Sequence, residues 1–416
     1  MPAAGRVAVP TAKPASLSAE ALNIPRSGIR DVFDRVERVP DAISLTVGEP
    51  SATAAPHIVA AACEAAQAGR TRYTNVLGVP EYRKAVADYS ARVKGLTYDP
   101  ETEIQAVDGA TIGLFLALKA VVGTGDEVII PSPFFTSYDA EVMLCGGRPV
   151  TVALRPEHGM RVNAADIEAA ITPRTRAVII NSPGNPTGAV TSAAELARIA
   201  EVCKQHNIWA ISDEVYHPFV FGETFGETLG GEAAVAPSIA AVPGMKDRTI
   251  VVESLSKTYA MTGWRIGYSA SNPALAKVMA NYLSHSTSAP STISQHAAIT
   301  ALTGPQEDMQ VMKEAFEKRR DHLVERMNRI EGVSCIKPEG AFYVMMNMTG
   351  FIGKTMYGKV IESAEDFAQM FLEKGLVATV PCTAFAAPGF VRWSYATSLT
   401  EIDKGLDRLE AFIKNA

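Results

Sequence analysis

From about residue 55 to residue 290 the chain switches repeatedly between two hydrophobic periods, and this alternation restricts the fold more than any other feature. Stretches such as "HIVAAACEAAQAG", ending at a turn around Gly69, and "TIGLFLALKAVVG" space their apolar residues as helices do. Between them lie short β-branched runs: "DEVIIPS", "TRAVIINSP", "IWAISDE", "RTIVVESLSK" and "WRIGYSA". The helix-like "ELARIAEVCKQHN" separates two of these runs. Strands alternating with helices predict an α/β fold, an open sheet covered by helices on both faces.

After about residue 295 the pattern changes. A long helical stretch, "QEDMQVMKEAFEKRRDHLVERMNRI", leads into the strand-like runs "GAFYVMMN", "LVATVP" and "VRWSYA" and a final helix from Thr400. This predicts a second, smaller α+β domain, with Pro290 as the only clear breaker near the boundary.

Length and charge narrow the functional classes. At 416 residues the chain has room for two or three domains of about 100–200 residues each. Its net charge is −6, without a basic run or interleaved basic and aromatic residues, so nucleic acid and anionic membranes are poor partners. Five cysteines (Cys63, Cys145, Cys203, Cys335, Cys382) are scattered and form no CxxC pair. An odd number at such spacing predicts reduced thiols and a cytoplasmic protein. The seven histidines show neither HxxxH nor HExxH, so no metal is expected. The opening "MPAAGRVAVPTAKPAS" has no apolar core of about 7–15 residues, which argues against a signal peptide. No apolar run approaches the roughly 18 residues of a membrane span.

In open α/β sheets, ligands bind beyond the carboxyl ends of the strands, and polar residues collect there in this chain. Asn181 and Asn185 follow one run, Asp213 closes the next, and Ser254 to Lys257 follow another. In "SLSKTYAMTGWRIGY", Arg265 comes eight residues after Lys257. A loop lysine is most often solvated. One desolvated in a cleft has a lowered pKa and a nucleophilic amine, as a Schiff-base lysine requires. On that stretch alone both readings stand. Asp213 reads as a turn or capping aspartate, or as the carboxylate that keeps the ring nitrogen of pyridoxal phosphate protonated. Tyr216, three residues on, is placed to bond the ring hydroxyl. "NSPGNPTG" is dense in turn formers, and it also offers the Asn185 side chain to a cofactor. "DGATIG" is neither a GxGxxG nor a Walker loop. It precedes a helix, so the backbone N–H groups of Gly109 and Ala110 suit a phosphate. Arg392, in "VRWSYA", is costly in a strand unless paired, either in a structural ion pair or as a bidentate clamp on a carboxylate.

Taken together these stretches resemble the class I/II, fold-type I aminotransferases that depend on pyridoxal 5'-phosphate, of the aspartate/aromatic aminotransferase kind. The resemblance runs from "SLTVGEP" to "VRWSYATS" and places "RYTNVLGVPEYRKAV", "DGATIGLFLAL", "GDEVIIPSPFFTSY", "NSPGNPTGAV", "SDEVY", "SLSKTYAMTGWRIGY" and "EGAFYV" in family order. It implies a large domain over 51–294, with a mostly parallel seven-stranded sheet between helices. A small α+β domain would be built from 21–50 and 295–416, and residues 1–20 would form an arm. Lys257 would form the Schiff base and shuttle a proton. Asp213 would pair with the pyridine nitrogen, and Asn185 and Tyr216 with the ring oxygen. Ser254, Ser256, Arg265 and the Gly109–Ala110 backbone would hold the phosphate, and Phe135 would stack on the ring. Arg392 would clamp the substrate α-carboxylate, with Asn185 at its side and Gly48 leaving room. Tyr73 matches a tyrosine that reaches the phosphate of the neighbouring subunit, which implies a homodimer with shared active sites. The reaction implied is ping-pong transfer of an amino group between an L-α-amino acid and a 2-oxo acid.

Selectivity rests on fewer residues. Some aspartate-specific relatives place a lysine at the position of Ala110, and others an arginine near Ser284. "NYLSHSTSAP" contains no arginine. The expectation is therefore an enzyme for aromatic, alanine-like or mixed substrates, with 2-oxoglutarate or pyruvate as acceptor. Arg30, in "SGIRDVFD", keeps acidic substrates open. Cys382 stands where glycine is frequent in relatives, either lining the pocket or filling space. The alternatives are an aspartate-specific enzyme, a β-lyase or synthase on the same scaffold, and a regulator or binding protein. A regulator would need a DNA-binding extension that the short arm does not supply.

Overall fold

Two of the β-branched runs, Glu127–Ser132 and Thr249–Ser254, are buried at all six of their positions. Such runs can only lie inside a sheet covered on both faces. The computed structural model, which describes residues 16–18, 22–25, 28–222 and 234–416, places them in a seven-stranded sheet. In chain order its strands are β1 (Ile104–Val107), β2 (Glu127–Ser132), β3 (Arg148–Ala153), β4 (Thr175–Asn181), β5 (Trp209–Asp213), β6 (Thr249–Ser254) and β7 (Gly267–Ala270). They lie in the order β1-β7-β6-β5-β4-β2-β3. β7 runs antiparallel to both of its neighbours and every other pair is parallel. β3, at the edge, keeps exposed positions along its length.

Helices α1 (Pro80–Lys94), α2 (Ala110–Val121) and α3 (Tyr138–Leu144) come from the same alternating region. Proline in the first turn opens α1, and Gly95 closes it at φ 66°, the left-handed stop that suits glycine. α2 packs against β5, β6 and β7 and presents its amino end to the carboxyl edge of the sheet.

A longer helix, α4 (Glu307–Met327), leads to a four-stranded antiparallel sheet: β8 (Ser334–Cys335), β9 (Tyr343–Asn347), β10 (Val380–Pro381) and β11 (Phe390–Ser394), in the order β10-β11-β9-β8. Its core is aromatic, with Phe316, Phe342, Phe367, Phe371, Trp393 and Phe412 all buried. The amino-terminal pair Ile43–Ser44 joins this region by pairing in parallel with Val377–Ala378. Among the described residues no helix is long and apolar enough to cross a membrane.

Two strand expectations are corrected. "LVATVP" is two short pairings, Val377–Ala378 and Val380–Pro381, made with different partners. "WRIGYSA" becomes a strand only at Gly267, because Thr262–Trp264 forms a 3-10 turn and Arg265 has φ 50°. A left-handed residue cannot continue an extended backbone.

Register decides what the sheet can offer. Asn181 lies opposite Asp213, Asp213 opposite Val252, and Ser254 opposite Gly267. The polar strand ends therefore meet along one carboxyl edge. Gly267 is where this edge is tightest, since a Cβ there would run into the carbonyl oxygen of Glu253. Gly267→Ala is expected to cost about 1–3 kcal/mol through overpacking, read as a lowered denaturation midpoint. Gly263→Ala, with no atom near its added methyl, should leave the midpoint unchanged.

Candidate active site

The carboxyl ends of β4, β5 and β6 open into a cavity of about 480 Å³. Gly48, Ala110, Phe135, Asn185, Asp213, Tyr216, Ser254, Ser256, Lys257, Arg265 and Arg392 all line it. Gly109 adjoins it through Arg265. Tyr73 does not reach it and is 98% exposed. The side chain of Arg30 lies outside the described residues.

One end of the cavity is built for an anion. Ser254 and Ser256, both buried, exchange a hydrogen bond of 2.6 Å. The Arg265 guanidinium donates to the carbonyls of Thr262 (3.0 Å) and Asp108 (3.2 Å). It passes so close to Gly109 that a Cβ there would lie 2.6 Å from Nη2, and Gly109 itself has φ 82°. Glycine is needed here for both conformation and space. The N–H of Gly109 is already donated to the Val107 carbonyl at 2.8 Å. The free backbone donors are therefore those of the first turn of α2, from Ala110 onward, which no side chain caps.

The other end holds the titratable groups. Asp213 is buried and accepts from the Tyr138 hydroxyl (2.6 Å) and the Val215 N–H (3.3 Å). Burial raises its pKa to about 6, against the lowering effect of the Tyr138 bond. The Lys257 ammonium donates to the Gly48 carbonyl at 2.5 Å. Burial lowers its pKa to about 8; Arg392 and Arg265 push the same way, while Glu49 and Asp213 oppose them.

Arg392, 1% exposed on β11, is held from three sides. It donates to Asn185 Oδ1 (2.9 Å) and to the Thr46 carbonyl (2.7 Å), and it lies between the rings of Tyr343 (4.4 Å) and Phe385 (5.0 Å). Its Nε is buried without a hydrogen-bond partner, and no carboxylate pairs with it among the described residues. The structural ion pair is thus not what this arginine forms. With Asn185 Oδ1 engaged, the Nδ2 donor of that amide remains for the cavity.

Three contributors escaped the sequence reading. Tyr138 aims Asp213; its signal was the hydroxyl-bearing aromatic closing "PFFTSY". Tyr343 bonds the Tyr216 hydroxyl at 3.0 Å and covers Arg392. The third is a buried ionic cluster directly beneath the site. Lys94 pairs with Glu214 (2.6 Å) and with Glu253. His217 contacts Glu253 (2.9 Å) and Tyr89 (2.8 Å), and Ser212 and Ser238 donate to Glu214. Burial alone would discharge Lys94, but the two glutamates raise its pKa above the usual range. Cys382 fills space: it is buried in an apolar cluster with Val380, Phe385 and Met345, and it does not line the cavity.

A sequence model of the family described as Aminotransferase class I and II matches residues 40–409. The chain belongs to that family. This aminotransferase is 43% identical over 371 residues to the aspartate aminotransferase of Rhizobium meliloti (strain 1021), an alignment covering 89% of this chain and 88% of the relative. It is also 43% identical over 374 residues to the aspartate/prephenate aminotransferase of Cereibacter sphaeroides, covering 89% and 91% of the two chains. The crystal structure of the aspartate aminotransferase from Rhizobium meliloti matches it with a TM-score of 0.90 at 40% identity, covering 97% of this chain and 100% of that one.

Aminotransferases of this family use pyridoxal 5'-phosphate, and the cavity fits that group. Its anion end presents a guanidinium, two hydroxyls and uncapped helix amides around a glycine that a Cβ would block. Its opposite end presents a buried carboxylate and a lysine amine. The Lys257 amine gives a direct test. Only a neutral amine attacks an aldehyde, so aldehyde modification of cofactor-free protein at Lys257 should rise with pH through a midpoint near 8. A midpoint near 10.5 would mean an ordinary solvated lysine.

Proposed function

We propose that this aminotransferase moves the amino group between an L-α-amino acid and a 2-oxo acid in two alternating half-reactions, with Lys257 as covalent anchor and proton carrier. The observation that carries the reading is the Lys257 amine, desolvated inside a cavity that also holds the Asp213 carboxylate and the Arg392 guanidinium.

Pyridoxal phosphate, when bound, supplies an electron sink for the pair left as the substrate Cα loses its proton. Arg265, Ser254, Ser256 and the first-turn amides of α2 would hold its phosphate. Phe135 would face the ring, and Asn185 and Tyr216 would hydrogen-bond its oxygen. Asp213, aimed by Tyr138, would pair with the ring nitrogen and keep it protonated. Arg392 receives the substrate α-carboxylate in bidentate fashion. Gly48 leaves room beside it, since a Cβ there would stand 3.1 Å from the Tyr343 hydroxyl. Lys257, with its amine free, would take the proton from the substrate Cα and hold it for return on the same side of the cavity. A pKa close to working pH suits both directions of that transfer. The same clamp serves both half-reactions, because amino acid and 2-oxo acid share the carboxylate.

For the side chain we infer neutral or aromatic donors, with 2-oxoglutarate or pyruvate as acceptor. The cations lining the cavity are Lys257, Arg265 and Arg392, and each already has a role. Among the described residues none remains for a distal carboxylate, and Ala110 and Leu114 add apolar wall. A second reading, aspartate as donor, is favoured by the relatives, which are named for aspartate and aspartate/prephenate. We further propose that residues 51–294 act as the large unit against 21–50 and 295–416. The working form is a homodimer, in which the exposed Tyr73 completes the phosphate site of the neighbouring subunit.

A half-reaction screen decides the substrate. Each amino acid is mixed with holoenzyme, and conversion of the cofactor to its amine form is followed by absorbance. Faster conversion with phenylalanine or alanine than with aspartate is expected; the reverse order selects the second reading, and conversion with none sinks both. Arg392→Lys should lose about 10–100-fold in kcat/KM for every donor, the worth of a charge-assisted bidentate contact, and Lys257→Ala should abolish transamination. Tyr73→Phe is expected to weaken phosphate retention about tenfold. Sedimentation should give twice the chain mass; a monomer that binds cofactor normally would refute the shared site.

A further inference from the structure

A second cavity, of about 360 Å³, shares no lining residue with the first. Its walls come from residues 51–58, from Thr258–Ala260, and from Pro305 with one face of α4. Three polar groups line it without an acidic partner. Thr258 is 2% exposed and its Oγ1 has no hydrogen-bond partner. His57 Nε2 is buried and likewise unpartnered. Arg319 forms no ion pair or hydrogen bond with any described residue; its only contact of note is the ring of Phe316, 5.7 Å from Cζ. The remaining wall is largely apolar, including Ile58, Met309, Met312 and Phe316. The single acid on the rim, Asp308, is exposed and lies three turns away from Arg319 on the same helix.

Buried polar atoms without partners are costly and uncommon, and this cavity has two, Thr258 Oγ1 and His57 Nε2, beside the half-buried Arg319 guanidinium. A guanidinium, a hydroxyl and an imidazole in the tautomer that protonates Nε2 together match one carboxylate, whose two oxygens accept about four hydrogen bonds. Water would satisfy the donors but not the methionine and phenylalanine walls. We propose that this cavity binds a small organic acid, a carboxylate on an apolar body, as a site separate from the active site. The carboxylate sits on Arg319, His57 and Thr258, and the body lies against Met309, Met312 and Phe316.

The position gives such a ligand a lever. Thr258 directly follows Lys257, and Ala260 at φ 52° ends the same short loop. α4 continues into the sheet that carries Arg392. A carboxylate bridging Thr258 to Arg319 ties the lysine loop to that helix, so its occupancy lowers turnover without competing for Arg392.

The test uses holoenzyme and 3-(4-fluorophenyl)propionate, followed by fluorine NMR, with 2-oxoglutarate and pyruvate in excess to fill the Arg392 site. A bound signal that survives this competition is expected. Arg319→Met should weaken that signal's affinity at least about tenfold, and Thr258→Val severalfold. Turnover of Arg319→Met without the probe should stay within about twofold of the parent. Should that variant fail to fold, Arg319→Gln and His57→Ala read the same site. The absence of a surviving signal overturns the proposal, and so does a signal that these substitutions leave unmoved.

Discussion

The site stands on an ion cluster that no substrate touches. Lys94, the last residue of α1, sits between Glu214 and Glu253 with all three side chains nearly inaccessible. Glu214 directly follows Asp213, and Glu253 directly precedes Ser254. Successive side chains along a strand point to opposite faces, as Glu253 and Ser254 do at the end of β6, and Glu214 lies just past the end of β5. Pinning Glu253 beneath the sheet edge therefore turns Ser254 up into the cavity, and Glu214 anchors the chain just beyond Asp213, which lines it too. Removing one partner from such a cluster leaves a charge buried without compensation, a loss of about 3–5 kcal/mol. His217 shares the load by contacting Glu253 and Tyr89. The geometry above is only as firm as this charge balance below.

The two sheets contribute different chemistry. The large sheet brings the anion cradle, Asp213 and Lys257 to one edge. The smaller sheet brings a single decisive group, Arg392, with Tyr343 as its cover. Hydrogen bonds from Arg392 to Asn185 and to the Thr46 carbonyl tie three separate segments of chain together. The guanidinium is thus held in one orientation, and on the proposed function it would lose little side-chain freedom when a carboxylate binds.

Much of this was legible in the residues themselves. Buried β-branched runs announced the sheet, and polar residues at their ends announced its functional edge. Lys257 and Arg265, eight positions apart, do line one cavity, although their stretch alone left a solvated lysine equally open. What stayed hidden depended on register and distance in space. Tyr138 was not singled out, because nothing local says that its hydroxyl meets Asp213 75 positions away. Lys94 and Glu253 lie 159 positions apart, so their pairing has no local signature. Gly109 was read as a donor, and its value lies in the space it leaves for Arg265. "WRIGYSA" looked like an uninterrupted strand, since a left-handed arginine has no compositional mark.

The connection from β6 to β7 carries both Lys257 and Arg265, and β7 then returns antiparallel alongside β6. Both ends of that connection are anchored in the sheet, and its middle is a helical turn followed by a 3-10 turn, so the span between amine and guanidinium is set by residue count. On the proposed function, the loop would work as a gauge block cut to the length of one cofactor. Residue types within it can change where packing permits, but a single insertion or deletion would put the two grips out of step. The separation of amine and guanidinium is, in effect, written into the spacing of this one segment.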